Sequence, residues 1–107
     1  MKFEISNLNI ITSNYGVLED DFWVTLQIDI SEKNGKGSEV FNVSVVSCKR
    51  LIKIVESEQV VVGRGLIIAN EFTKELVIEI FEKLLTKSSA NNWKDLLNDL
   101  SKYFEHQ

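Results

Sequence analysis

Over residues 22–31 hydrophobic and polar positions alternate without a break. Phe22, Val24, Leu26, Ile28 and Ile30 occupy one register, and Trp23, Thr25, Gln27, Asp29 and Ser31 the other. Successive side chains of an extended chain point to opposite faces, so the pattern predicts a strand with one buried and one solvated side. After the polar stretch EKNGKGSE a second alternation sets Phe41, Val43 and Val45 against Asn42, Ser44 and Val46. Asn34-Gly35 and Gly37 supply the positive-φ residues that a hairpin connection needs. A two-stranded ribbon with one apolar face is not stable alone in water, so the rest of the chain has to cover it.

Upstream, Phe3 and Ile5 alternate with Lys2, Glu4 and Ser6, which predicts a first strand over residues 2–11. Residues 12–16, TSNYG, read as a turn. Glu19, Asp20 and Asp21 then form an acidic approach to the hairpin, expected to be a solvated loop. Downstream, Leu51, Ile52 and Val55 fall at helical spacing within 48–56, with Ser47 placed to cap the helix and the apolar face expected against the sheet. The β-branched run over 59–70 predicts a strand buried on both faces or central in the sheet, with Gly63 and Gly65 marking a bulge or a close approach. Residues 73–87 carry the stripe Leu76, Val77, Ile80, Phe81, Leu84 and Leu85 of an amphipathic helix. After a break at 88–92, Trp93, Leu96, Leu97, Leu100, Tyr103 and Phe104 give a second such stripe, with Asn92 and Asp95 resembling a capping box. These elements predict an α+β fold over residues 1–107, one domain, in the order β-β-β-α-β-α-α. The sheet is expected to be four-stranded and mainly antiparallel, with helices on one face and Trp93 in the core.

Composition narrows the function classes. With 107 residues and a net charge of −4, the chain lacks the basic surplus of a nucleic-acid binder. It suits a basic protein partner, drawn in by long-range attraction. No run approaches the length of a membrane span, and the first residues lack a signal-peptide layout. The whole chain is therefore expected to be the mature protein, in the cytoplasm. Cys48 is the single cysteine, which leaves neither an internal disulfide nor a thiolate metal cluster. His106 is the single histidine and lies in a terminus expected to fray. Gly63-Arg64-Gly65 lacks the third glycine of a dinucleotide loop. No catalytic residue, cofactor or metal is expected.

The ordered set Phe41-Asn42-Val43-Ser44-Val45, Ser47-Cys48-Lys49-Arg50-Leu51, Gly63-Arg64-Gly65-Leu66-Ile67-Ile68 and Asn92-Trp93 with Leu96 and Leu100 resembles the bacterial immunity protein 8 family. The resemblance covers roughly two-thirds of the chain, by the span of these packing motifs. Members commonly carry Thr-Pro where this chain has Ser47-Cys48. The resemblance implies a non-enzymatic protein that neutralises a cognate toxin domain, commonly a nuclease, in polymorphic-toxin and contact-dependent inhibition systems. A small-ligand-binding or accessory α+β domain is the alternative, and a pocket with converging polar groups would mark it. For the toxin-binding reading, the solvated face of the hairpin is the expected surface. Trp23, Gln27, Asp29, Asn42 and Ser44 form its centre, and Glu19, Asp20 and Asp21 its rim. Trp23 could instead be covered through Tyr15 or Leu18.

Overall fold

β2 (Phe22–Glu32) lies inside the sheet, between β1 (Phe3–Tyr15) and β3 (Ser38–Val46), antiparallel to both. The structure, a computed structural model, describes residues 2–61, 63, 65–88, 90 and 92–107. Along β2 the burial follows the sequence alternation: Phe22, Val24, Leu26, Ile28 and Ile30 are inaccessible, whereas Trp23, Thr25, Gln27 and Asp29 are half-buried. The hairpin to β3 turns through Asn34 and Gly37, whose φ angles are 63° and 108°.

The far edge of β3 is shared by two short strands. β4 (Leu66–Ile68) runs parallel to its second half, and β5 (Glu105–His106) runs antiparallel to its first. Gly65 joins them, with its N–H donated to the Tyr103 carbonyl and its carbonyl accepting from Ser44 N–H, each at 2.9 Å. Its φ of 82° is one that glycine adopts without strain. The sheet is thus mixed but mostly antiparallel, and the two-residue β5 extends the expected four strands to five.

α1 (Cys48–Glu58) connects β3 to β4. Its N-cap, Ser47, is buried, and its Oγ accepts Arg50 N–H at 3.1 Å and Phe22 N–H at 3.2 Å. One hydroxyl therefore starts the helix and fastens it to the head of β2. α2 (Lys74–Lys87) is capped by Thr73, and α3 (Trp93–Leu100) by Asn92, whose side-chain oxygen accepts Asp95 N–H at 2.9 Å. Val77 and Phe81 of α2, Leu96 and Leu100 of α3, and Phe104 close over the apolar side of β2 and β3 as one core. Phe81 and Phe104 stack with centroids 4.5 Å apart. α1 contributes no residue to this core.

Several expectations change. The strand expected over 59–70 shrinks to Leu66–Ile68 and is an edge strand, not a central one; Ile68 is exposed. Gln59 closes α1 in the left-handed region, and the described pairing with β3 begins at the Gly65 carbonyl. Val62 and Arg64 of that stretch, and Ser89 and Asn91 of the break between α2 and α3, lie outside the described residues. The turn expected at 12–16 is displaced, because Thr12 to Tyr15 continue β1 past bulges at Ile5/Asn7 and Ile10/Thr12. The chain reverses instead between Gly16 and Asp21, closed by Gly16 N–H to the Asp21 carbonyl at 2.7 Å. On α1, Ile52 and Val55 face solvent while Leu51 and Ile54 are half-buried. The side chains of Arg50 and Lys53 both reach Asp21, and that sets the rotation of the helix. Trp93 is half-buried at the margin of the core, edge-on to Phe3 with centroids 4.8 Å apart. The carboxyl terminus is paired rather than loose: Gln107 N–H meets the Val40 carbonyl at 2.9 Å and His106 Nε2 lies 2.7 Å from Glu39 Oε2.

Candidate protein-binding surface

With the core on one side of the sheet, the other side carries the polar half of each strand. Register places these residues in rows across three strands: Asn14 and Trp23, beside the buried Val46; Thr12, Thr25 and Ser44; Asn9, Gln27 and Asn42. Directly opposed residues on neighbouring antiparallel strands share a face, so the rows form one continuous surface. Trp23, Gln27, Asp29, Asn42 and Ser44, the expected centre, are all half-buried and all on it. Thr25 Oγ1 and Ser44 Oγ are hydrogen-bonded at 3.2 Å, and Asn42 Oδ1 accepts from Gln107 Nε2 at 3.4 Å. Tyr15 does not cover Trp23. It leans on Phe22 on the core side, with ring centroids 5.7 Å apart.

The three acidic residues of the expected rim separate. Glu19 and Asp20 are exposed, and Asp20 pairs with the exposed Lys49 at 3.0 Å. Asp21 is buried, which corrects the expectation of a solvated acidic loop. Arg50 Nε donates to its Oδ1 at 2.5 Å, and Lys53 Nζ pairs with its Oδ2. The hydrogen bonds from Lys53 and then Arg50 hold this carboxyl below its ordinary 3.8, against the opposing effect of burial. Arg50 also donates to Asn14 Oδ1 at 2.8 Å, so α1 is tied to the Trp23 end of the open face.

Sequence reasoning missed Arg50, Lys53 and Asn14 as partners of Asp21. The signal was present in the charges: the adjacent acids Asp20 and Asp21 enter the hairpin, and Lys49, Arg50 and, a turn later, Lys53 leave it. It also missed Val17 and Leu18, apolar residues in an otherwise polar reversal, which stand exposed beside Ile52 of α1. Together with Asp21, Lys49 and Lys53 they line a cleft of about 790 Å³. Among the described residues, no group of His, Cys, Asp or Glu side chains is placed to hold a metal ion, and no helix is long and apolar enough to cross a membrane. No buried side-chain polar atom among them lacks a partner.

Over residues 4–107 the chain matches the profile of a family described as Immunity protein 8. The match extends through the amino-terminal third, which lies outside the motifs that carried the resemblance. No curated protein and no solved structure matches the chain.

Proposed function

Since the chain belongs to the immunity protein 8 family, we propose that it binds a cognate bacterial toxin domain in a stoichiometric complex and blocks it without turning anything over. The toxin is a nuclease delivered by a polymorphic or contact-dependent inhibition system, and the complex forms in the cytoplasm of the cell that makes the immunity protein. The observation that carries this reading is the open sheet face. It is a surface with Trp23 set among Thr25, Gln27, Asp29, Asn42 and Ser44, and its backbone is held by ladders on both sides of β2.

A tryptophan surrounded by short polar groups suits the centre of an interface. Large aromatics contribute most there, and their polar neighbours keep water out. The rigid ladders reduce the ordering cost of binding. Glu19 and Asp20 at the rim, with the net charge of −4, speed encounter with a basic nuclease while adding less to the final affinity.

The test is co-expression in bacteria with the carboxy-terminal domain of the large toxin polypeptide that this reading expects to be encoded beside the chain. Survival with the chain, death without it and a copurifying complex are the expected results. Death in both cases would reject the function.

A further inference from the structure

We propose that the outer edge of β1, over residues 10–15, is a self-association surface, where β1 of a second copy of this chain pairs antiparallel about Ser13. Self-pairing there is independent of whether the chain binds a toxin.

β1 has β2 on one side and, among the described residues, no strand on the other. The direction of its free backbone groups follows from the head of β2. Phe22 donates its N–H to Ser47 Oγ and its carbonyl accepts Ser47 N–H, so both groups point away from β1. In an antiparallel ladder such pairs alternate with pairs that bond each other. Tyr15, opposite Phe22, and Ser13, opposite Val24, therefore turn their N–H and carbonyl groups out of the sheet. Farther back, Leu8 N–H is taken by Asn7 Oδ1 at 3.0 Å, and Phe3 and Ile5 lie alongside Ile78 and Leu85 of α2. The first half of the edge is thus closed off, and the second half is open: every residue from Asn9 to Tyr15 is exposed.

Sheets usually blunt such an edge with a short strand, lysine or proline. The opposite edge of this sheet is blunted by length, because β4 and β5 span only three and two residues. β1 runs for 13 residues, and residues 5–15 include no charged residue, proline or glycine.

The occupant is a second copy because the open stretch complements itself. Antiparallel pairing about Ser13 sets this residue against its own counterpart, where the two exchange N–H···O bonds. Thr12 then meets Asn14 on the polar face. Tyr15 comes opposite Ile11 and beside Ile10 of the other copy, side chains that are 47%, 51% and 40% exposed in the single chain. Apolar meets apolar on both sides of the axis, and no like charges are opposed despite the net charge of −4. A two-fold axis through Ser13 closes the contact at two copies. Edge pairing covers neither sheet face, so Trp23, in the row of Asn14, stays open in both.

The test is sedimentation equilibrium of the purified chain, with Ser13→Pro and Ser13→Lys as variants. So short an edge, roughly 20 Å, supports a Kd of about 10⁻⁵–10⁻⁴ M, and concentrations from about 10 μM to about 1 mM span it. Ser13→Pro removes an N–H that faces outward and leaves the β2 ladder whole. Ser13→Lys sets two ammonium groups against each other across the axis. The site is exposed, so circular dichroism and melting temperature should stay those of the parent, and Ser13→Lys decides alone should the proline disturb the fold. The mass of the parent should rise from one chain toward two, and each variant should associate at least about 10-fold more weakly. Amide exchange at Ser13 and Tyr15 should slow as the parent is concentrated. A parent that stays a single chain at the highest concentration overturns the proposal. Association that neither variant weakens places the contact elsewhere and overturns it too. A single-chain parent whose binding to the proposed cognate toxin domain is lost in Ser13→Pro would give the edge to a toxin strand and overturn the second copy as its occupant.

Discussion

The Asp21 carboxylate occupies the space that a side chain on residue 16 would need: a Cβ added to Gly16 would lie 2.8 Å from Asp21 Cγ and closer still to Oδ2. Glycine at 16 is therefore required by this close approach and not by the turn, since its φ is not positive. Gly16→Ala should displace the carboxylate from Arg50 and Lys53 and cost about 1–3 kcal/mol, the range for overpacking. Urea denaturation measures it. A variant as stable as the parent would show that the reversal relaxes freely.

Asp21 also fixes a pH dependence. Its carboxyl titrates below the ordinary 3.8 because of the hydrogen bonds from Lys53 and Arg50. A group with a depressed folded value contributes stability in full above its unfolded value, near 3.9, and loses it as pH falls through the folded one. The stability gap between the parent and Asp21→Asn should hold constant above about pH 5 and narrow below about pH 4. Denaturation of both proteins from pH 3 to pH 7 checks this. A gap that persists unchanged to pH 3 would mean that the ion pairs add nothing.

The two aromatic anchors of the helices should not count equally. Phe81 is inaccessible and stacked on Phe104, so Phe81→Ala should cost about 3–5 kcal/mol. Trp93 stands at the core margin against Phe3, and its truncation should cost less, about 2–3 kcal/mol. Denaturant midpoints of the two variants decide it, and a Trp93→Ala loss equal to that of Phe81→Ala would place the tryptophan deeper than described.

Pairing of β5 to β3 predicts slow exchange at the very end of the chain. The Gln107 amide, bonded to the Val40 carbonyl, should exchange more slowly than the exposed hairpin amide of Lys36. Equal rates in a hydrogen-exchange experiment would mean that the terminus frays.

Alternation made the centre of this fold legible. The period of two in residues 22–31 places Phe22 to Ile30 inside and Trp23 to Asp29 outside, and the observed burial follows it residue for residue. Two caps were equally readable, because Ser47 and Asn92 act within three residues of themselves. What depended on distant partners was hidden. The β-branched run ending at Ile68 looks like an interior strand, yet its position is decided by Gly65 bonding to Tyr103 and Ser44. The acidic triplet reads as three equivalent charges. Only the return of α1 to the head of β2 buries Asp21 and leaves Glu19 and Asp20 outside. The open face with Trp23 could be inferred from period alone, whereas the cleft at Val17 and Ile52 needs two segments far apart in sequence to meet.

The most direct measurement is a calorimetric titration of this chain into the proposed cognate toxin domain, with Trp23→Ala as the second titrant. Stoichiometric neutralisation through the open face predicts one chain bound per toxin, with a Kd at or below about 10⁻⁸ M for the parent. Trp23→Ala should keep the stoichiometry and bind at least about 30-fold more weakly, an effect of hot-spot size. Absence of binding by the parent would contradict the function, and equal affinity of the two proteins would contradict the surface.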